Sequence, residues 1–241
     1  HPDAQRRGAH AEFPGQLPAA VDAPSSIGRV VGEHLAPRHG IESLEAGIEF
    51  DNLSGERGYE LFVRGQDAPK IWDAILAEGK SMGIIPVCFS VLDMLRVESY
   101  LLFYPYDNSQ MYPFANEQPG DSLWELGLDF TVSPGKTGFR GAEEHARLKG
   151  KERFKIFGLL IEADGPTDLG DEVYADGKKV GVITCPCYSK LTKKSMAIMR
   201  VDVACAKQGT KLEVRGKNLK AKAIAHTISF DDPEKKKRTA V

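Results

Sequence analysis

No run in the 241-residue chain approaches the roughly 18 consecutive apolar residues of a membrane helix, so a helical span is excluded and no membrane partner is expected. A secretory h-region near the start is missing as well. Cysteine is scarce: four in a chain of this length make no disulfide framework, and a reducing, cytoplasmic compartment is the expectation. Phosphate loop, dinucleotide-binding glycine pattern, nucleophile elbow and HExxH are all absent. Aromatic residues are thin among the basic residues of the last third, which argues against a nucleic-acid partner. Methionine is not the first residue; the chain starts at His1, and an upstream N-terminal segment is expected.

What is present suits a globular chain, with 41% hydrophobic and 27% charged residues, enough for one large domain or two small ones. The formal net charge of −2 hides an asymmetry. Between Pro186 and Lys222 ten Lys or Arg stand against two acids, so that stretch carries +8 and the remainder −10. Such a stretch is a solvated basic face or a surface that attracts an anionic ligand.

Residues 1–43 are rich in Pro, Gly, Ala, His and Arg and read as an irregular linking segment with at most one short helix near Ile27 to Leu35. An α+β domain is expected over 44–149. In it Leu44 to Asp51 and Tyr59 to Val63 read as strands around the turn Ser54-Gly55-Glu56-Arg57-Gly58. Asp67-Ala68-Pro69 starts a helix, and a buried segment Gly83 to Cys88 leads into a short helix and then Met94 to Glu98. An aromatic loop from Tyr100 to Phe114 follows, and a helix covers Gly141 to Leu148. Over 150–241 the short strands Phe154–Glu162, Glu172–Ala175, Val180–Cys185, Ala197–Val203, Lys211–Val214 and Ala221–Ser229 predict an antiparallel β-barrel domain, with Asp176-Gly177 as a tight hairpin turn.

Cys185-Pro186-Cys187 offers two soft ligands without a second pair nearby, so no metal site is expected. His226 reads as a strand histidine, and His34 and His39 as surface residues. Two stretches are harder to assign to scaffold. Gly55 to Leu61 holds Glu56 in a glycine-flanked turn, and Leu95-Arg96-Val97-Glu98 alternates charge and apolar residues just before the aromatic loop. Together they can line a cleft with charged anchors and stacking surfaces; the plainer alternative is a turn acid and a surface ion pair.

Six segments in order, over roughly residues 50 to 215, resemble the glycine-cleavage T-protein (aminomethyltransferase) superfamily. They are Gly55 to Leu61 (G-E-D-G-F-E-L), Arg96 to Tyr100 (R-L-E-A-G), Glu125 to Val132 (E-A-x-L-x-W-x-V), Gly138 to Gly141 (D-F-I-G), Gly181 to Cys185 (G-x-V-T-S) and Gly209 to Val214 (G-T-x-L-E-V). The resemblance implies an α+β folate-binding domain followed by a C-terminal β-barrel, with tetrahydrofolate as cofactor. It implies Glu56 as the pterin anchor, since a carboxylate accepts two parallel hydrogen bonds from the ring N–H and exocyclic amine. Arg96 is implied beside the folate, and Phe130 stands where the family has Trp in the same channel. Tyr100 replaces a small glycine and reshapes the pocket.

The family's catalytic aspartate lies in a region this chain does not contain in recognisable form, so the catalytic residue is unassigned and a partner chain or N-terminal segment is expected to complete the site. Tyr104 and Tyr106 are candidates to protonate a leaving group, with core or lid packing as the alternative. The long aromatic loop resembles the tetrahydrofolate-dependent demethylases of the superfamily, of the vanillate/syringate or dimethylsulfoniopropionate kind. The implied activity is demethylation of a small methyl donor, methoxy-aromatic or methyl-sulfur, to give 5-methyl-tetrahydrofolate. The alternatives are aminomethyl transfer with a lipoyl-carrying partner, a folate-binding module without chemistry, and part of a larger oxidase that makes formaldehyde equivalents.

Overall fold

The computed structural model describes residues 47–51, 54–55, 58–108, 120–227 and 229–230. The expected helix near Ile27 to Leu35, His34, His39, Glu56, Tyr112 and Phe114 lie outside them. The described residues fall into two compact units, one of 47–50 with 59–85 and one of 51–58 with those from 86 onward.

In the first unit, β1 (Gly47–Asp51) pairs with β2 (Gly58–Phe62) in a two-stranded sheet. Helix α1 (Ala68–Gly79) begins with Pro in its first turn, where the missing N–H costs nothing. Ile71 and Ala74 are buried, with Val63 and Ile75 packed against Ile71, whereas Trp72 is exposed despite its helical spacing.

The second unit is built on a closed six-strand antiparallel barrel of order β3-β6-β5-β4-β7-β8. Its strands are β3 (Lys155–Ile161), β4 (Glu172–Ala175), β5 (Lys178–Ser189), β6 (Lys194–Val201), β7 (Lys211–Arg215) and β8 (Lys220–His226). Asp176 and Gly177, at φ +48° and +79°, form the expected β4–β5 turn; both turn positions take left-handed backbone, which Asp and Gly accept most readily.

Alternation divides the strands between two cores. Leu159, Ile161, Ile183, Ala197, Met199 and Val201 fill the barrel. Ile156, Cys185, Cys187, Met196 and Ile198 face outward and meet Val97 and Phe154. Val97 belongs to α2 (Phe89–Glu98), which packs on β5 and β6. Two short helices, α3 (Leu123–Leu126) and α4 (Ala142–Leu148), complete the unit. Ser122 and Glu125 close a reciprocal capping box on α3, and Gly127 ends it at φ +70°.

Two local expectations are corrected. The segment from Gly83 to Cys88 is exposed, not buried, although it is apolar. Met94 to Glu98 continues α2 without a break, and Arg96 and Glu98 are buried where a surface ion pair was the plainer reading. The alternation of charged and apolar residues concealed a helix whose last three residues, Arg96, Val97 and Glu98, are all buried.

Candidate functional site

A β-bulge in β5 is the starting point of the site. Its register against β6 shifts between Ile183 and Cys185, so Thr184 is an extra residue. Without it, Cys185 would follow the inward phase of Ile183; the bulge turns both Thr184 and Cys185 toward α2. Over this point lies the last turn of α2, which carries Arg96, 2% exposed.

A cavity of about 270 Å³ opens here, lined by Phe89, Asp93, Arg96, Tyr106, Leu169 and Cys185 among others. It lies entirely within the second unit. Its volume is at the lower edge of small-molecule sites, room for a ring system and not for an extended ligand. Phe89 and Phe103 meet edge to face at 6.1 Å, and Phe103 stacks on Tyr106 at 5.8 Å, which makes a continuous aromatic wall. The guanidinium of Arg96 sits 5.2 Å from the Phe103 ring centre.

The donors of Arg96 are almost all committed. Its Nε donates to Asp93 Oδ1 at 2.7 Å, Nη1 to the Leu101 carbonyl at 3.0 Å and to Asp107 Oδ2 at 3.3 Å, and Nη2 to Cys185 Sγ at 2.8 Å. Four of five N–H groups are thus used, leaving one on Nη2 for a ligand. Burial works against the charge of Arg96, but Cys185, Asp107 and Asp93 outweigh it and its pKa is raised. Burial pushes the Cys185 thiol far up, with Asp107 acting in the same direction, so at neutral pH it is an uncharged acceptor. The Asp93 carboxylate is 42% exposed at the cavity edge and can accept hydrogen bonds from outside. The arrangement suits a flat heterocycle with N–H donors: an acceptor carboxylate, one guanidinium N–H, and aromatic faces for stacking.

Of the residues singled out in the sequence, Arg96 and Tyr106 come together at the cavity, and Glu56 lies outside the described residues. Tyr100, at φ +60°, points its hydroxyl at the Ile156 carbonyl 3.2 Å away and packs against Phe230, under the loop and off the cavity lining. Phe130 lies on a short 3₁₀ turn and is 75% exposed, and Tyr104, before the cis Pro105, is 74% exposed; neither lines the cavity. His226 sits in β8 with its ring 5.2 Å from that of Phe230. Among the described residues no group of three or more His, Cys, Asp or Glu is arranged to hold a metal. Asp93, Asp107, Thr184 and Phe89 escaped the sequence reading. Asp93 had a signal, since it precedes Arg96 by three positions on one helix face, but the helix had been ended too early.

Part of the basic stretch lies at the β5–β6 turn, with Lys193 and Lys194, and at the β7–β8 turn, with Lys217 and Lys220, whereas Arg200 is buried on β6 and Lys211 starts β7. Antiparallel pairing puts both turns at one end of the barrel, together with the acidic segment that joins β3 to β4 and carries Asp164, Asp168 and Asp171. Its positive charge is therefore partly offset there.

The sequence model of the GCVT N-terminal domain matches residues 52–136, and that of the glycine cleavage T-protein C-terminal barrel domain matches residues 155–231. The chain is 65% identical over 193 residues to the heme-dependent oxidative N-demethylase gamma subunit of Ectopseudomonas mendocina (strain ymp), covering 80% of this chain and 51% of that one. It is 33% identical over 189 residues to the trimethylamine-oxide aldolase of Ruegeria pomeroyi, covering 76% of this chain and 23% of the aldolase. Among solved structures, the glycine cleavage system aminomethyltransferase T from Bartonella henselae superposes with a TM-score of 0.69 at 19% identity, over 83% of this chain and 56% of that one, a likeness of fold. The chain thus spans about half the length, or less, of these relatives. Two domain matches in order, an aminomethyltransferase fold and a closed C-terminal barrel agree: the chain belongs to the glycine-cleavage T-protein superfamily.

Proposed function

We propose that the chain is a tetrahydrofolate-dependent one-carbon transferase working as a subunit of an oxidative N-demethylase, where it receives the carbon removed from a methylated amine. The observation that carries this reading is the 65% identity to the gamma subunit of a heme-dependent oxidative N-demethylase. The name of the aldolase relative also points to a methyl group on nitrogen, in place of the methoxy-aromatic or methyl-sulfur donors implied by the aromatic loop. Oxidation of an N-methyl group releases its carbon at the level of formaldehyde, which needs an acceptor. Tetrahydrofolate, when bound, would supply the nitrogens that take up a one-carbon unit, one in the pterin ring and one in the bridge next to it.

The chain's own part is binding and orientation. Glu56 is assigned as the pterin anchor, Asp93 as a second acceptor at the cavity edge, and Arg96 as donor through its remaining N–H. Phe89 and Tyr106 offer faces on which a flat ring stacks and from which water is excluded. Orientation of this kind supplies up to about 7–11 kcal/mol of a barrier. We assign the folate-binding role to residues 44–149 and a covering role to the barrel of 150–241. The four cysteines are free, which supports a reducing, cytoplasmic setting.

Calorimetric titration with 5-formyl-tetrahydrofolate, on the chain alone and co-expressed with its partner subunits, tests the reading. Saturable binding weakened at least about tenfold by Glu56→Ala is expected, because a bidentate charged contact is lost. Absence of binding in both preparations overturns it.

A further inference from the structure

We infer that Asp107 is the positioning residue of the cavity: a single buried carboxylate, anchored by the barrel, holds both the cationic corner and the aromatic wall in place. Asp107 is 3% exposed and does not line the cavity. Its Oδ2 accepts from Arg96 Nη1 at 3.3 Å and from the Phe103 backbone N–H at 2.8 Å. Its Oδ1 accepts from the hydroxyl of Thr184, the extra residue of the β5 bulge, and its backbone carbonyl accepts from Arg200 Nη1 at 3.3 Å. Arg200 is itself fully buried on β6, with its guanidinium 3.6 Å from the Phe154 ring centre, so Asp107 is held from two adjacent strands, its carboxylate by Thr184 on β5 and its main chain by Arg200 on β6.

Each partner of Oδ2 leads to the cavity by one step. Arg96 lines it directly. Phe103 carries Tyr106 on one face and meets Phe89 at its edge, and both of those line the cavity. Asp93 also pairs with Arg96, through Nε at 2.7 Å, but it is 42% exposed and lies on the helix of Arg96 itself, so it does not tie the guanidinium to the loop or to the wall. A pair inside the protein, shielded from solvent, is the stronger restraint. The consequence for ligand binding rests on the function proposed above; the positional role does not.

Nitrogen-15 NMR of the arginine guanidinium groups, with Arg96 assigned through Arg96→Lys, reads the positional role without any ligand. In the unmodified protein slow rotation about the Cζ–Nη bonds of Arg96 is expected. Asp107→Asn should speed that rotation at least about tenfold, the equivalent of one charge-assisted hydrogen bond, and leave Arg153, which is paired to Glu125 elsewhere, unchanged. Thr184→Val, which removes the barrel's grip on Oδ1 together with the hydroxyl's 3.2 Å contact to the Ile198 carbonyl but leaves both Oδ2 contacts, should move Arg96 the same way by less, and it decides the matter if Asp107→Asn does not fold. Unaltered Arg96 signals in the folded variant overturn the inference. For binding, Asp107→Asn should weaken 5-formyl-tetrahydrofolate about tenfold, and Arg96→Lys with Asp107→Asn should be no weaker than Arg96→Lys alone; additive losses overturn the coupling. If the unmodified protein binds no folate, the proposed function fails while the guanidinium signals still decide the role of Asp107.

Discussion

Cys185 and Cys187, two apart on β5, face outward and not into the barrel because of a single extra residue, and that location decides their chemistry. Burial pushes the Cys187 thiol up to about 12, and nearby Glu98 and Asp93 add to the shift. Burial pushes the Cys185 thiol up as well, which keeps it in the unreactive thiol form. Cys88 is the opposite case: it is exposed at the start of α2, and hydrogen bonds from the Ser90 hydroxyl and the Val91 N–H lower its pKa. Since the thiolate is the reactive species, brief alkylation of the native protein at pH 7.5 should modify Cys88 and leave Cys185 and Cys187 untouched. Peptide mass spectrometry reads this, and early labelling of Cys185 would show that the bulge opens readily.

On the scale of elements, the short helix α3 is tied to the barrel through Glu125. Its carboxylate closes the capping box, accepts from the Arg153 backbone N–H at 3.1 Å and pairs with Arg153 Nε at 2.7 Å. Burial alone would raise its pKa, but hydrogen bonds from Arg153 and Ser122 prevail and hold it at about 2, against 4.5 ordinarily. A depressed pKa means stability that is complete above about pH 4.5 and lost as the pH falls toward 2. Glu125→Ala should therefore cost about 3 kcal/mol at pH 7. Its urea midpoint should vary less between pH 5 and pH 2.5 than that of the unmodified protein, because the titrating group is gone. The capping box has a local signal, Ser122 and Glu125 three apart, that the sequence reading did not use, whereas the pairing to Arg153 across 28 positions carries no sequence pattern.

For the molecule as a whole, closure of the barrel depends on backbones approaching at the β3–β8 seam. A Cβ on Gly158 would lie 2.6 Å from the His226 carbonyl oxygen and 2.8 Å from the Phe230 ring. A backbone atom cannot retreat as a side chain can, so Gly158→Ala should cost about 2–3 kcal/mol. Gly165→Ala, with nothing within 4 Å, should be close to neutral in the same thermal melts. Equal midpoints for the two variants would mean that the seam is looser than its geometry implies.

The six barrel strands were legible because period-two alternation and turn residues are local properties, and each strand was found within a few residues of its position. The superfamily was legible for the same reason, through short motifs that hold their order. The sequence by itself thus determined the α+β-then-barrel plan and singled out Arg96, which lines the cavity. Only the tertiary structure decided that Arg96 is buried at the end of a helix, that Asp93 shares its cavity, and that Asp107 and Thr184, 77 positions apart, meet beneath it. It also moved Tyr100, Tyr104 and Phe130 off the cavity lining. The physical reason is range: alternation and capping act between near neighbours, whereas burial, ion pairing and the phase of a bulge depend on which surfaces the closed barrel brings together.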